Sequence, residues 1–164
     1  MVPIRIGQGW DVHSFTPGRP LFLCGVEIPF EKGLLGHSDA DAPIHAVIDA
    51  LLGALALGDI GKFFPDTDPE FKNISSVLLL EKVLSHEAFS QWEIGNLDLT
   101  ITTEKPKLRP YMDSMREKLS QILHTGMENI SIKGKTCEKL GYIGRGEALE
   151  AAAVVLLYRK EGKK

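Results

Sequence analysis

Asp11 and His13 stand two residues apart in the segment IRIGQGWDVHSF, which has the composition of a short buried strand. Side chains at positions i and i+2 of a strand project from the same face, about 6.5–7 Å apart along the chain. The carboxylate and the imidazole therefore point the same way, and both groups are common ligands of zinc. Two ligands on one face predict a metal centre that takes a third ligand from elsewhere in the sequence.

The remaining histidines are His37, His45, His86 and His124. We expect the last two to lie near helix ends, where an imidazole interacts with the C-terminal dipole. If His37 and His45 shared one helix, the eight residues between them would span about 12 Å. One metal with bonds of about 2.1 Å could not reach both imidazoles. These two histidines are therefore predicted to have different roles, unless the chain bends sharply between them.

His45 lies in the first turns of a predicted helix, with Asp41 four residues before it and Asp49 four residues after it. This spacing places the three side chains on one helix face, where either aspartate could accept the second N–H of a metal-bound imidazole. An ordinary capped helix with one hydrogen-bonded histidine would contain the same residues. Together with Asp11 and His13, however, His45 completes a set of one carboxylate and two imidazoles. That set suits zinc and leaves the fourth position of a catalytic site open.

Composition restricts the class of protein around these ligands. The chain has 164 residues, 43% hydrophobic and 25% charged, which is typical of one globular domain. Its net charge of −3 argues against a general nucleic-acid-binding protein, because such proteins carry a basic face. Two cysteines are too few for a disulfide framework, and no apolar run approaches the length of a membrane span. The first strand pattern begins at Ile4, so we expect no leader peptide and a cytoplasmic protein, with a processed organellar protein as the alternative.

The order of elements predicts one α+β domain, 1–164, in which helices pack on one face of a mixed β-sheet, with a solvated tail at 159–164. A hairpin is expected around Cys24 and Gly25. Apolar residues at three- and four-residue spacing predict a helix whose N-cap is Ser38 or Asp39. Two more helices are predicted over about 75–87 and 111–124, and strands over about 93–104, 129–138 and 148–160. The last strand is expected to be buried on much of both faces.

Several polar segments contain residues suited to a phosphate-bearing small molecule. Ser38 stands beside a predicted helix N-terminus, whose free N–H groups bind anions. The segments GDIG at 58–61 and FPDTD at 64–68 are polar loops, and TEKPKLR at 103–109 places three cations around a proline. The segment GKTCEK at 134–139 follows a strand, and its glutamate could hold Mg²⁺ against a diphosphate. Each segment taken alone would also suit an ordinary solvated surface.

Five blocks follow one another along the chain: GWDVHSF, the stretch from KGLLGHSDADAPIH to GDIGKFFPDTDPEFK, EIGNLDLTI, KPKLRPY and TCEKLGYIGRGE. Together they resemble the 2-C-methyl-D-erythritol 2,4-cyclodiphosphate synthase family, from about Ile4 to Tyr158. The resemblance implies an enzyme of the non-mevalonate isoprenoid pathway. Its substrate would be a cytidine-diphosphate-linked methylerythritol 2-phosphate, and its products the cyclic diphosphate and CMP. A homotrimer with sites between neighbouring subunits is also implied.

The same resemblance assigns residue roles. The implied zinc ligands are Asp11, His13 and His45, and Glu138 would lie near a second ion, Mg²⁺ or Mn²⁺. His37 and Thr136 would stabilise the transition state, and His37 and Ser38 would contact the substrate phosphate. The other implied substrate contacts are Asp11, His13, Asp59, Ile60, Gly61, Phe64, Pro65, Asp66, Thr67, Asp68, Thr103, Glu104, Lys105, Pro106, Lys107, Leu108, Arg109, Lys135, Cys137, Glu138, Tyr142 and Arg145.

Four positions depart from the family pattern, at Ala40, Pro43, Lys135 and Cys137. A proline in the first helical turn is tolerated because its missing N–H would have no helical partner.

Two other functions fit the residues taken alone. A zinc-dependent phosphodiester or nucleotide hydrolase would need a base for water. A non-catalytic anion-binding trimer with structural zinc would need a fourth protein ligand.

Overall fold

The computed structural model describes residues 3–160, in which seven strands and five α-helices are found. In chain order they are β1 (Ile4–Pro17), β2 (Leu21–Leu23), β3 (Val26–Ile28), β4 (Lys32–Leu34), α1 (Ala42–Ala54), α2 (Ile60–Phe63), α3 (Ser76–Leu84), β5 (Trp92–Thr102), α4 (Met112–Ile122), β6 (Ile130–Lys135), α5 (Gly141–Gly144) and β7 (Ala148–Arg159). The predicted α+β composition is confirmed, and α3 and α4 end within three residues of their expected limits.

Five of the strands form one mixed sheet in the order β4-β1-β7-β5-β6. Neighbours are antiparallel except for β5 and β6, which run parallel through the pairing of Leu97 with Ile130. The predicted hairpin is formed by β2 and β3, and its turn residues Cys24 and Gly25 have φ angles of 54° and 75°. The long strand β1 therefore pairs with β7 over Ile4–Ser14 and with β4 only over its last three residues.

Helices α1, α3 and α4 share one apolar core with the inner face of the sheet. Leu97, Leu99 and Ile101 of β5 are fully buried in that core, as their alternation predicts. Strand β7 differs from expectation, because Val154 is 44% exposed and Tyr158 is 41% exposed. The expectation of a strand buried on both faces is wrong for the single chain, since the helices cover only one face of the sheet.

Helix α1 begins later than the sequence indicates. Its N-cap is Asp41, whose buried carboxylate accepts hydrogen bonds from the N–H groups of Ile44, Cys24 and Gly25 at 3.1, 2.9 and 2.6 Å. The prediction of Ser38 or Asp39 as the cap is wrong, because Ala40 turns the chain through a left-handed conformation with φ 58°. One carboxylate thus caps the helix and ties it to the hairpin.

Two glycines of β1 allow α1 to lie directly on the strand. A Cβ atom at Gly7 would stand 1.8 Å from the carbonyl oxygen of Ala50, and one at Gly9 would stand 2.0 Å from that of Ala46. No side chain fits in either position. The helix therefore approaches the same face of β1 that carries Asp11 and His13, which places His45 beside them.

The first two residues of the predicted solvated tail, Arg159 and Lys160, are held by backbone hydrogen bonds. Arg159 is the last residue of β7 and its N–H donates to the Pro3 carbonyl at 2.9 Å. The N–H of Lys160 donates to the Gln91 carbonyl at 2.9 Å, and residues 161–164 of the predicted tail lie outside the described residues. Within residues 3–160, the helices are all too short or too polar to cross a lipid bilayer.

Candidate metal centre and substrate cavities

Asp11, His13 and His45 converge at the end of β1 that meets α1. The Oδ2 atom of Asp11 lies 3.0 Å from His13 Nε2 and 3.0 Å from His45 Nδ1, and the two nitrogens are 3.2 Å apart. These separations are close to the edges of about 3.4 Å of a tetrahedron with bonds of about 2.1 Å. Among the described residues, this is the group of three histidine, cysteine, aspartate or glutamate side chains that lie close enough together to hold a metal ion.

The outer nitrogens of both imidazoles are already hydrogen-bonded. His13 Nδ1 lies 2.7 Å from the Leu35 carbonyl oxygen, which can only accept, so the proton of a neutral His13 is on Nδ1. His45 Nε2 lies 2.9 Å from Ser76 Oγ, whose own hydrogen is donated to Asp39. His13 Nε2 and His45 Nδ1 therefore present lone pairs toward the Asp11 oxygen, and this donor set fits a divalent cation.

The carboxylate and the imidazoles of the cluster also shift one another's pKa values. Burial acts to raise the pKa of the Asp11 carboxyl, but its contacts with His13 and His45 outweigh burial and hold the pKa well below its ordinary value. Burial acts to lower the pKa of His13, but the Asp11 carboxylate and the Leu35 carbonyl raise it overall. Asp11 is therefore a carboxylate at neutral pH, ready to ligate.

The predicted partner of His45 is wrong. Asp41 is committed to the N-cap, and Asp49 Oδ1 instead accepts the N–H of Ile60 at 2.7 Å. The acceptor beside His45 Nε2 is the hydroxyl of Ser76, with Ser38 Oγ at 3.2 Å. Ser76 stands 31 residues away in sequence, at the start of α3, and its only signal in the sequence is that of a helix N-terminus.

A cavity of about 490 Å³ opens directly from the metal cluster. Its lining is Asp11, His13, His37, Ser38, His45, Ile60, Gly61, Phe64, Pro65, Asp66, Phe71 and Leu79. His37 lies in this cavity but outside the ligand cluster, and its separate role stays a prediction. Asp59 caps α2 through the N–H of Lys62, and Asp68 caps a 3-10 turn through Glu70. Phe71 and Leu79 are lining residues that sequence reasoning missed, because both belong to ordinary apolar patterns.

A second cavity of about 320 Å³ lies at the other edge of the sheet. Its lining is Thr103, Glu104, Pro106, Lys107, Leu108, Arg109, Met112, Gly134, Lys135 and Thr136. Glu104 Oε1 accepts the N–H groups of Cys137 and Lys139 at 2.9 and 3.2 Å and so holds the two loops together. Thr136 donates to Glu138 Oε1 at 2.7 Å. The predicted segments 103–109 and 135–138 are therefore brought together.

Tyr142 and Arg145 lie apart from both cavities. The Tyr142 hydroxyl donates to Glu150 at 2.9 Å, beside a shallow cavity that Cys137 also lines. Arg145 pairs with Glu147 at 2.7 Å. The single chain thus does not bring these two predicted contacts to the metal cluster.

The two cavities are separated by the width of the sheet. Asp11 pairs with Ala151, which pairs with Ile101, which in turn pairs with Gly134 beside the second cavity. Three steps of about 4.8 Å between strands place the metal cluster and the second cavity about 14 Å apart within one chain. The fold and site define an α+β protein with three side chains that could hold a metal ion beside one cavity, and a basic loop pair around another.

Comparison with known proteins agrees with this class. The sequence profile described as the YgbB family matches residues 4–158. The chain is 55% identical over 156 residues to the 2-C-methyl-D-erythritol 2,4-cyclodiphosphate synthase of Bacillus cytotoxicus, covering 95% of this chain and 99% of that protein. The chain therefore belongs to the YgbB family.

Solved structures show the same fold. The Plasmodium falciparum protein described as IspF in complex with CDP is 35% identical, with a TM-score of 0.85 over 98% of this chain and 99% of that one. The bifunctional IspDF of Campylobacter jejuni is 39% identical with a TM-score of 0.91, covering 96% of this chain. This chain spans 43% of the length of that bifunctional protein.

Proposed function

We propose that this chain converts 4-diphosphocytidyl-2-C-methyl-D-erythritol 2-phosphate to 2-C-methyl-D-erythritol 2,4-cyclodiphosphate and CMP, a step of non-mevalonate isoprenoid biosynthesis. The observation that carries the proposal is the cluster of Asp11, His13 and His45, which opens into a cavity suited to a phosphate-bearing sugar alcohol. The cluster belongs to a chain that matches a synthase of that name over nearly the full length of both.

The three ligands fit zinc, because one carboxylate and two imidazoles leave a coordination position for substrate. When bound, the ion would act as a Lewis acid on a phosphoryl oxygen. The protein contributes the fixed orientation of the ligands. His13 is held through Leu35, Asp11 is kept ionised, and His45 is directed by the position of α1 on β1.

The chemistry is an intramolecular displacement. An oxygen of the 2-phosphate attacks the phosphorus next to the methylerythritol; the new P–O bond closes the ring, and the bond to CMP breaks. The nucleophile is already an anion, so catalysis consists of positioning and charge neutralisation and needs no nucleophilic side chain. His37 and Ser38, in the same cavity as the metal ligands, are placed to contact the phosphate. Ile60, Gly61 and the segment 64–66 would contact the methylerythritol.

The second cavity would hold the cytidine and its diphosphate. Lys107, Arg109 and Lys135 supply positive charge there, and the Plasmodium falciparum relative is described as a CDP complex. Thr136 would stabilise the transition state after leaving its hydrogen bond with Glu138. Glu138 would then be free to hold Mg²⁺ or Mn²⁺ against the diphosphate.

We also propose that the active form is a homotrimer of this single domain, acting in the cytoplasm. Ile6, Trp10 and Val154 on the outer sheet face are 67%, 50% and 44% exposed, so this apolar surface is suited to burial against other copies. Asp98 lies on the same outer face, and its Oδ1 atom is a buried oxygen without a hydrogen-bond partner among the described residues. Because the two cavities of one chain are about 14 Å apart, a site shared between neighbours would unite the metal half of one with the loop half of the next.

Phosphorus NMR of the products tests the function. Purified protein given zinc, Mg²⁺ and the cytidine-linked substrate should yield the cyclic diphosphate and CMP. In ¹⁸O-labelled water neither product should carry label from the chemical step, because the held phosphate, with an effective molarity of about 10⁵ M or more, outcompetes water. Label in CMP or in a linear phosphate at the rate of turnover would instead identify a zinc-dependent hydrolase.

A further inference from the structure

The side of His45 that faces away from the metal cluster meets the buried hydroxyl of Ser76, which is in turn bonded to the half-buried carboxylate of Asp39. His45 Nε2 lies 2.9 Å from Ser76 Oγ, and that hydroxyl donates a short hydrogen bond to Asp39 Oδ1. Asp39 Oδ2 also accepts the N–H of Ser76 at 3.0 Å. Ser76 is fully buried, so bulk water does not replace its hydroxyl as the partner of His45.

The direction of these hydrogen bonds follows from their chemistry. A carboxylate only accepts, so the Ser76 hydrogen points to Asp39 and a lone pair of Ser76 Oγ faces His45. His45 Nε2 must therefore be the donor, which leaves Nδ1 free for the metal. Ser38 Oγ stands farther from His45 Nε2, at 3.2 Å, and itself accepts the N–H of Ala40 at 3.0 Å.

We infer that Ser76 and Asp39 are positioning residues for the metal centre, acting through His45. The chain from Asp39 through Ser76 fixes His45 as the tautomer protonated at Nε2 and sets the orientation of its ring. It also makes the imidazole a stronger ligand, because the negative charge of Asp39 is transmitted through an oriented hydroxyl. This inference rests on the proposed role of His45 as a metal ligand.

Metal affinity measured by chelator competition tests the inference. Ser76→Ala should weaken zinc binding by about 10- to 100-fold, the usual effect of losing a hydrogen-bonded partner of a ligand. Ser75→Ala is the matched control, because Ser75 caps the same helix by accepting the N–H of Val77 at 3.3 Å and contacts no metal ligand. It should lower the thermal midpoint and leave zinc affinity within twofold of the parent protein. Equal zinc affinity in Ser76→Ala and the parent would overturn the inference.

A spectroscopic measurement separates positioning from a merely structural effect. In the zinc-loaded protein, ¹H–¹⁵N correlation should show His45 protonated at Nε2, with a slowly exchanging proton. Asp39→Asn, which keeps the shape but removes the charge, should shift this resonance and weaken zinc binding less than Ser76→Ala does. A His45 protonated at Nδ1 would contradict the inference even if one of the variants failed to fold. If the parent protein bound no zinc at all, the proposed metal centre itself would be wrong, an outcome distinct from that of the variants.

Discussion

At the scale of single residues, one oxygen atom organises the site. Asp11 Oδ2 lies 3.0 Å from each imidazole, and the outer nitrogen of each imidazole is engaged by Leu35 or Ser76. Three electron-rich atoms held this close favour a cation among them. The carboxylate also supplies the one negative charge of the ligand set.

Removal of that carboxylate should abolish tight metal binding. Asp11→Ala leaves two neutral imidazoles, so we expect zinc to be lost on dialysis against a mild chelator. Asp113→Ala is a suitable control, because its side chain is 90% exposed on α4. Elemental analysis of the folded proteins should give about one zinc per chain for the control and almost none for the site variant. Stoichiometric zinc in folded Asp11→Ala would rule out the assigned ligand set.

Asp41 should make stability depend on pH. Its complete burial raises the pKa of its carboxyl to about 6, against the opposing effect of the hydrogen bonds from Gly25, Ile44 and Cys24. A folded-state pKa above the unfolded value stabilises the protein below about pH 4, and this stabilisation is lost as the pH rises through about 6. The loss amounts to roughly 3 kcal/mol at most.

Urea unfolding between pH 4 and 7.5 measures this effect, with a chelator present so that metal binding does not contribute. The free energy of unfolding of the parent protein minus that of Asp41→Asn should decrease across the interval, since the asparagine does not titrate. A difference that stays constant, or that increases with pH, would show that Asp41 does not titrate as expected.

At the scale of elements, the position of α1 on β1 brings the ligands together. Gly7 and Gly9 provide the close approach, and Asp41 fixes the start of the helix against the hairpin turn. The ligands come from two elements, so their geometry depends on how the elements pack rather than on either one alone.

Gly9→Ala should therefore damage both stability and the site. The new Cβ would lie 2.0 Å from the Ala46 carbonyl oxygen, so the helix must move. We expect a loss of about 3 kcal/mol or more in the free energy of unfolding and weaker zinc binding. Gly53→Ala is the control, because its Cβ would meet nothing nearer than the Gln8 carbonyl oxygen at 3.8 Å. It should stabilise the helix by about 0.5–1 kcal/mol. Thermal and urea unfolding of both variants measure these effects. A Gly9→Ala protein as stable as the control would contradict the proposed contact between β1 and α1.

Local patterns predicted much of this arrangement. Strand alternation predicted that Asp11 and His13 share one face, and the two side chains do converge. The spacing argument that separated His37 from His45 assumed one helix for both, but α1 begins at Ala42 and His37 precedes it. The N-cap was not predictable, because Asp41 is selected by hydrogen bonds from Cys24 and Gly25, which the fold brings to it.

Contacts between distant segments explain the other errors. Asp41 and Asp49 had the right spacing along the helix to serve His45, yet Ser76 takes that place because α3 packs against α1. The exposure of Val154 has a similar origin. An apolar strand indicates burial, but the sequence does not say whether its own helices or another chain provide the cover.

At the scale of the whole molecule, the two cavities and the exposed outer sheet face bear on whether the chain assembles into a trimer. The metal cluster on β1 and the loops around 103–109 beside β5 and β6 are separated across the strands of the sheet, about three strand spacings apart. A trimer would bury Trp10 and Val154 and set unlike halves of neighbouring chains together.

Mixing two inactive variants tests this assembly. We expect His13→Ala to disable the proposed metal half and Glu138→Ala the proposed loop half. If each site draws on two chains, equal mixing with subunit exchange should restore about a quarter of the sites, since each half is intact with probability one in two. Light scattering should give the mass of three chains. A monomer, or a mixture with no recovered activity, would contradict the shared site.

The direct backbone contact at Gly7 and Gly9 also bears on which parts of the molecule unfold locally first. At Gly7 and Gly9 no side chain of β1 separates the strand from α1, so a partial separation there would expose backbone on both elements at once. Those amide hydrogens of Ile6 to Trp10 that bond to β7, and the amide hydrogens of Ala46 to Ala50, should therefore exchange with deuterium among the slowest of the chain, at rates set by global unfolding. The loops around 64–72 and 103–109 should exchange far sooner. Substrate-binding segments could then open and close many times while the metal ligands stay assembled, so the centre would survive the motions that admit and release its reactants.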